Sequence, residues 1–140
     1  MQLAILASDD SWYYRDLARA AGDRGHGVER WDFPQIVGTV RTGAETFAVG
    51  ETAATSVEAV IVRTMPPGSL EQVVLRMDWL ARLEARGVRV INPPKSLECA
   101  VDKYLTTARL SAAGLPVPDT IVCESPDAAL LALDQLGGDV

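Results

Sequence analysis

The sequence predicts an α/β fold built on a small parallel sheet, and two observations carry this prediction. Short, predominantly apolar runs recur at residues 3–7, 57–63 and 88–91, and such runs are typical of buried parallel strands. Segments with helical spacing of apolar residues lie between them, which is the alternation of βαβ units. A helix that connects two neighbouring strands of one sheet makes those strands parallel.

The N-terminal third of the chain predicts one βαβ unit followed by an irregular excursion. A helix is expected over residues 11–23, capped by Asp9-Asp10, with a short strand at residues 28–31. Residues 33–56 differ, because two turn glycines flank a segment of alternating side chains. We expect a hairpin or an irregular excursion there, on the rim of the sheet.

The next helix carries two rows of apolar side chains. Ser69 and Gln72 form a capping-box pattern at its start. The row expected to face the sheet is Leu70, Val73, Val74, Met77, Leu80 and Ala81. The second row, Leu75, Trp79 and Leu83, either widens the buried face or packs on another subunit or domain. The sequence therefore leaves open a homo-oligomer through this helix.

A proline pair divides the chain. Asn92-Pro93-Pro94 interrupts both helix and strand, so we place a domain boundary between residues 1–94 and residues 95–140. From residue 96 the spacing predicts one long helix, with Lys103 on its accessible side. Two further elements are expected, a strand at residues 118–123 and a helix at residues 126–136 opened by Ser125 and Pro126.

The composition argues against several classes of function. A net charge of -6 opposes general nucleic-acid binding, which requires a basic surface. Cys99 and Cys123 fit no metal-ligand spacing and His26 is the single histidine, so we expect free thiols and no zinc site. No apolar run approaches the roughly 20 residues of a membrane span, and the N-terminus is not a signal peptide. We therefore expect a cytoplasmic protein with no membrane or nucleic-acid partner.

Candidate binding residues follow the strands, because ligands of open α/β sheets bind beyond the carboxyl ends of the strands. They are Asp9-Asp10, Arg63 with Thr64, and Asn92. Arg63 is the most informative, since a guanidinium binds a carboxylate or phosphate with two hydrogen bonds. The alternative is a structural ion pair with a neighbouring acid, and Lys103 by itself would be a solvated lysine.

Two nucleotide-binding motifs and one signalling fold are disfavoured. No Gly-x-Gly-x-x-Gly fingerprint or P-loop occurs in the sequence. The acidic pair after the first strand resembles the magnesium ligands of a phosphorylatable receiver domain. Such a domain requires an acceptor aspartate after its central strand, where this chain has Arg63 and Thr64.

Several motifs in order resemble the ATP-grasp ligases, most closely RimK-type glutamate ligases and bacterial glutathione synthetases. Residues 63–67 match an Arg-x-x-Pro-Pro turn and residues 92–97 match Asn-x-Pro-x-Ser-Leu. Asp102-Lys103 and the exit at residues 113–118 match a helix with Asp-Lys before Gly-x-Pro. The resemblance covers residues 57–140, whereas earlier residues agree only in the order of their elements.

The resemblance implies a Rossmann-like pre-ATP-grasp domain followed by an incomplete α+β ATP-grasp segment. It implies that Lys103 contacts ATP phosphates and that Arg63, Thr64 and Asn92 bind substrate. In this family a small-molecule carboxylate is activated as an acyl phosphate with ATP and magnesium. The amine of an amino acid, commonly glutamate, then displaces the phosphate.

The family's later motifs are missing from these residues. After a Gly-Gly-Asp stretch such ligases continue into Lys-Pro, a glycine-rich lid and acidic magnesium ligands, and none occurs in residues 1–140. We therefore expect the truncated N-terminal part of a ligase, with no catalytic residue or metal ligand of its own, no bound ATP or magnesium, and no ATP turnover. The alternative is a stand-alone small-molecule-binding or interaction module without ligase activity. A reading frame that continues past Val140 into those motifs would distinguish the two.

Overall fold

The computed structural model describes residues 1–138 and confirms the α/β fold; the predicted terminal stretch at Asp139 and Val140 lies outside the described residues. Its elements in chain order are β1 (Gln2–Leu6), α1 (Trp12–Gly22), β2 (Gly27–Trp31), β3 (Ile36–Arg41), β4 (Ala44–Val49), β5 (Thr52–Ala53), β6 (Ala59–Val62), α2 (Leu70–Glu84), β7 (Arg89–Ile91), α3 (Pro94–Val101), α4 (Lys103–Ala112) and α5 (Pro126–Gln135). The chain divides into two compact units, Met1–Leu97 and Glu98–Val140. The domain boundary that we expect at residue 94 stays a prediction.

The first unit is organised around a parallel sheet of four strands in the order β2-β1-β6-β7. Ile5 in β1 is in register with Arg30 of β2 on one side and Ile61 of β6 on the other. β1 is central, and its residues Ala4, Ile5 and Leu6 are fully buried. This burial on both faces explains its uninterrupted apolar sequence.

The predicted hairpin is confirmed and is part of a second sheet. β3, β4 and β5 form an antiparallel sheet of three strands, and the β3–β4 turn contains Gly43 at φ 76°. Glycine suits this turn because residues that carry a Cβ rarely adopt a positive φ. Phe47 and Val49 of β4 are buried in the same core as β1 and α2.

The capping box of α2 is confirmed, but the predicted buried face is largely wrong. Ser69 Oγ accepts a hydrogen bond from the Gln72 backbone, and the Gln72 side chain accepts one from the Ser69 backbone. Of the row expected to face the sheet, Leu80 is buried, Val73 and Met77 are half-buried, and Leu70, Val74 and Ala81 are exposed. The buried face runs instead through Arg76, Trp79, Leu80 and Leu83.

The hairpin explains this difference. The Trp79 ring makes edge-to-face contacts with Trp31 and Phe47, at centroid distances of 6.2 and 6.0 Å. The Trp79 indole Nε1 also donates a hydrogen bond to the Val37 carbonyl oxygen at 3.1 Å. Trp79 and Leu83 thus belong to the core of their own chain, while Leu75 is exposed. Association of this helix with a second copy stays a prediction.

The expected cap of α1 is also wrong. Ser11 is the N-cap residue, and its Oγ accepts a hydrogen bond from the Tyr14 backbone at 3.2 Å. Asp9 instead forms an ion pair with Arg30 at 2.7 Å. A serine next to the helix is a good cap, so the carboxylate of Asp9 is available to the cation on β2.

The expected single helix after the proline pair is two helices. α3 ends at Val101, and Asp102 adopts an extended conformation with φ -83° and ψ 104°. The Asp102 carboxylate accepts a hydrogen bond from the Leu105 backbone at 2.9 Å and so caps α4. Pro94 is the first residue of α3. Proline is tolerated there because the backbone N–H that it lacks would have no hydrogen-bond partner in the first turn of a helix.

The second unit contains one further departure from the sequence-based expectation. Residues 118–123 form no strand among the described residues. Pro118 lacks the N–H that a ladder requires, and residues 98–138 contain no strand with which the segment would pair. α5 is confirmed, with Ser125 Oγ accepting from the Ala128 backbone.

Two further findings concern the cysteines and the helices of residues 1–138. Cys99 and Cys123 both have free thiols. None of the helices in this part of the chain has the length and apolar character needed to cross a membrane.

Candidate substrate-binding cleft

A cleft of about 560 Å³ opens in the first unit where β6 and β7 end. The residues that follow these strands, Arg63 and Asn92, both line it. Its other walls come from α1, the two strand ends and α3, namely Trp12, Tyr13, Asp16, Leu17, Ile61, Val62, Ile91 and Leu97. The structure therefore brings together two of the residues that the sequence nominated, at the sheet edge where ligands of such folds bind.

The backbone that carries Arg63 is held on both sides. The backbone N–H groups of Arg63 and Thr64 donate to the Leu6 carbonyl oxygen at 3.0 and 3.2 Å. Farther along the turn, the Pro66 carbonyl accepts a hydrogen bond from the buried Arg76 guanidinium at 2.6 Å. These bonds attach the turn to β1 and α2, so Arg63 projects from a supported segment.

Arg63 has no carboxylate partner within residues 1–138. Its guanidinium carbon lies 3.6 Å from the centroid of the Tyr13 ring, in a cation–π contact. Asp16, the acid that lines the cleft, forms an ion pair with Arg19 at 2.8 Å. The hydrogen bond and the charge of Asp16 raise the pKa of Arg19. The structural ion pair considered for Arg63 is therefore not formed among the described residues, and its exposed donors face the cleft.

Two aromatic side chains in the first turn of α1 were missed by the sequence reasoning. Neither Trp12 nor Tyr13 was among the candidate binding residues, yet they are 62% and 50% exposed and line the cleft. Their rings meet edge to face at a centroid distance of 5.1 Å. The available signal was their position, since the helix that follows a strand begins at the edge where ligands bind.

Thr64 and the acids after β1, which were also candidate binding residues, do not line the cleft. Thr64 is exposed but does not line the cleft. Asp9 is engaged by Arg30, which also donates to the Ala7 carbonyl oxygen at 3.1 Å and lies 3.8 Å from Asp32. The loop after β1 is thus organised by an internal ion pair.

Lys103 belongs to the second unit. It is the first residue of α4, and its exposed Nζ donates a hydrogen bond to the Ala100 carbonyl oxygen at 3.2 Å. A lysine ammonium suits a nucleotide phosphate. Among residues 1–138 no three acidic, histidine or cysteine side chains are close enough to hold a metal ion. Lys103 is thus an exposed cation suited to a phosphate, in a part of the chain where no such cluster of metal ligands is found.

Comparison with known families gives an extended match. Residues 1–97 match the family model described as the RimK PreATP-grasp domain. This range is the first compact unit of the structure, and it contains the whole cleft.

Two curated relatives are glutamate ligases. The tetrahydromethanopterin:alpha-L-glutamate ligase of Methanosarcina acetivorans is 36% identical over 148 residues, covering 99% of this chain and 44% of that protein. The glutamate–LysW ligase ArgX of Sulfolobus acidocaldarius is 44% identical over 57 residues, covering 41% of this chain and 20% of that protein. The chain thus spans less than half the length of these relatives.

Solved structures give the same fold. The RimK domain protein ATP-grasp from Sphaerobacter thermophilus aligns with a TM-score of 0.71 at 24% identity, over 98% of this chain and 46% of that chain. The ATP-grasp ligase PsnB, solved with a minimal precursor, Mg and ADP, aligns with a TM-score of 0.64 at 21% identity, over 96% of this chain and 52% of that chain. At these identities the likeness concerns the fold.

Proposed function

The chain belongs to the RimK pre-ATP-grasp family, and from this premise we propose that its cleft binds the acceptor carboxylate of an ATP-dependent carboxylate–amine ligase. The observation that carries the proposal is Arg63. It is an exposed guanidinium at the end of a buried strand, in a cleft, with no acid paired to it among residues 1–138. A fixed cation with free donors in a partly apolar cleft favours an anionic ligand.

We propose a task in binding for two residues of the cleft, Arg63 and Asn92. Arg63 donates two parallel hydrogen bonds to the carboxylate, while its stacking on Tyr13 restricts the guanidinium. Asn92, on the neighbouring strand end, provides an amide that donates to or accepts from the same ligand. The proposed role of these side chains is to hold and orient the carboxylate for activation.

The remaining parts of the reaction are proposed from the family. ATP with magnesium supplies the phosphoryl group that activates the carboxylate when both are bound. Lys103 is proposed to contact the nucleotide phosphates, as an exposed ammonium on a flexible stem. Glutamate is proposed as the amine, because two curated relatives of this chain are named glutamate ligases.

A titration tests the binding site. Cyclohexanecarboxylate is added to isotope-labelled protein. NMR follows the Trp12 indole N–H of the cleft in every variant and, where the arginine is present, the side-chain Nε–H signal of Arg63. We expect this signal to shift in a saturable way and Arg63→Gln to weaken binding about tenfold or more, since a charged hydrogen-bonding partner is lost. Arg41→Gln, an exposed change on β3 outside the cleft, should leave binding unchanged. Binding that is equal in the two variants would refute the role of Arg63.

A second assay tests the reaction. The longest natural polypeptide that contains these residues is incubated with ATP, magnesium, glutamate and a small-molecule extract of its own cells. Ligase function predicts a metabolite that gains the mass of one glutamyl residue while ADP forms. Carboxylate binding at Arg63 without any such product would favour the alternative, a binding module of the same fold.

A further inference from the structure

We propose that the ligand of this cleft carries a planar aromatic or heteroaromatic ring next to its carboxylate. This inference rests on the proposed function, since it names the class of acceptor that the Arg63 site would take. It is carried by three observations on the first unit: where its exposed aromatic side chains lie, what Arg63 contacts, and how large the cleft is.

The exposed aromatic surface of the first unit is concentrated at the cleft. Trp12 exposes more than half of its surface to solvent, and Tyr13 exposes about half. The other large aromatic side chains of this unit, apart from the half-buried Tyr14, are buried in the core, namely Trp31, Phe33, Phe47 and Trp79. Exposed rings gathered in a concave site mark a surface that gains from contact with an apolar ligand.

The cation is placed beside these rings. Arg63 covers one side of the Tyr13 ring, and Trp12 meets that ring edge to face. A ligand whose carboxylate pairs with Arg63 therefore has its adjacent atoms next to an aromatic wall. A flat ring in that position stacks on the wall, whereas a short aliphatic chain leaves it in contact with water.

The size and the opposite lining agree with this ligand. The cleft of about 560 Å³ lies within the range of about 300–1,000 Å³ that is typical of sites for drug-sized molecules. Aliphatic side chains from the strand ends and α3, including Ile91 and Leu97, line it as well. The cleft thus offers more room and more apolar surface than a single small carboxylate uses.

A matched pair of carboxylate probes measures how much an aromatic ring in the ligand adds to the affinity. We compare 2-naphthoate, which is planar and aromatic, with cyclohexanecarboxylate, which has the same charge but no aromatic ring. NMR titration of the 140-residue chain follows the Trp12 indole N–H and the Arg63 Nε–H. We expect 2-naphthoate to bind about tenfold more tightly, with shifts at both signals, because stacking on aromatic side chains adds to the ionic contact.

Variants of Tyr13 test whether the preference for 2-naphthoate comes from the aromatic side chains of the cleft. Tyr13→Leu should remove most of the preference for 2-naphthoate, whereas Tyr13→Phe keeps the ring and should retain it. Tyr104→Leu, which removes an exposed tyrosine of the second unit, is the matched control and should change nothing. Tyr13 is half exposed, so the fold of each variant is checked from the remaining amide signals of the same spectrum.

The outcomes separate this inference from the proposed function. If both probes bind equally and both lose affinity in Arg63→Gln, the planar ligand is refuted while the carboxylate site stands. If neither probe shifts the Arg63 signal in the folded chain, both proposals are wrong. A preference for 2-naphthoate that persists in Tyr13→Leu also overturns the inference.

Discussion

The guanidinium of Arg76 donates a hydrogen bond to the Pro66 carbonyl oxygen at 2.6 Å, joining α2 to the turn that follows Arg63. Arg76 is 7% exposed and is the one buried charged side chain among residues 1–138. Its guanidinium carbon lies 5.4 Å from the centroid of the Phe33 ring. A Cβ at Gly68 would lie 3.0 Å from Arg76 Nη1, so the turn packs closely on this cation. Arg76 thus supports the segment from which Arg63 reaches the cleft.

Replacing Arg76 by alanine should destabilise the first unit by about 2 kcal/mol, because a charged donor is lost and the Pro66 carbonyl is left unpaired. Urea unfolding followed by tryptophan fluorescence measures this, since all three tryptophans lie in residues 1–97. Asp78→Ala, an exposed change in the same helix, should alter the unfolding free energy by no more than about 0.5 kcal/mol. Equal effects of the two changes would contradict the role of Arg76.

Trp79 should be among the most costly residues to truncate. Trp79→Ala removes the ring that joins α2 to the hairpin and should cost about 3–5 kcal/mol. Trp79→Phe keeps an aromatic ring but leaves the Val37 carbonyl without its donor, and we expect a loss of about 1–2 kcal/mol. Circular dichroism during urea unfolding measures both changes.

Leu75→Ala is the control for the Trp79 variants. Leu75 belongs to the same sequence row but is 55% exposed, so its truncation should change the unfolding free energy by about 0.5 kcal/mol or less. A loss at Leu75 that matches the loss in Trp79→Ala would show that this row is buried along its whole length, contrary to the structure.

Local patterns predicted the elements of the first unit well but not the faces that they bury. The continuous apolar sequence of β6 and the Ser69–Gln72 capping box each depend on a few adjacent residues, and both predictions were confirmed. Which side of α2 is buried depends on the hairpin packed beside it, through the contact of Trp79 with Phe47. Helical periodicity does not contain that information, because it reports apolar rows and not their partners.

The candidate site shows the same division. Arg63 and Asn92 were found because each follows a buried strand, and the sheet topology brings strand ends together. Tyr13 was missed because an aromatic residue in an amphipathic pattern is ordinarily assigned to the core. Tyr13 is half exposed and contacts Arg63, and this contact joins residues fifty positions apart, which helical periodicity does not report.

The ion pairs of Glu45 should make the stability of the first unit depend on pH. Its carboxylate accepts hydrogen bonds from Arg82, at 2.6 to 3.2 Å, and from Arg86 at 3.3 Å. The hydrogen bonds from Arg82 lower the pKa of Glu45 below its ordinary value of 4.5. Because the folded-state pKa is depressed, this stabilisation is present above pH 4.5 and is lost as the pH falls through the lower folded value.

The measurement for Glu45 compares urea midpoints at about pH 7 and about pH 3. Glu45→Gln should be less stable than the natural chain at the higher pH, and the difference should shrink at the lower pH. Glu51 lies near the same sheet and forms no ion pair within residues 1–138. The difference in stability between Glu51→Gln and the natural chain should therefore not shrink at the lower pH. A difference for Glu45→Gln that stays constant with pH would disprove the prediction.

Asp102 should determine where α4 begins, and with it the position of Lys103 on that helix. The Asp102 carboxylate accepts from the Leu105 backbone at 2.9 Å, so Asp102→Ala should destabilise α4 by about 1 kcal/mol. Hydrogen exchange of the α4 amides measures this loss as faster exchange in the first turn. Asp102→Asn retains a capping side chain and should exchange much like the natural chain, whereas Asp119→Ala, outside any helix, should leave α4 unchanged. Unaltered exchange in Asp102→Ala would contradict the role of this carboxylate in stabilising the first turn of α4.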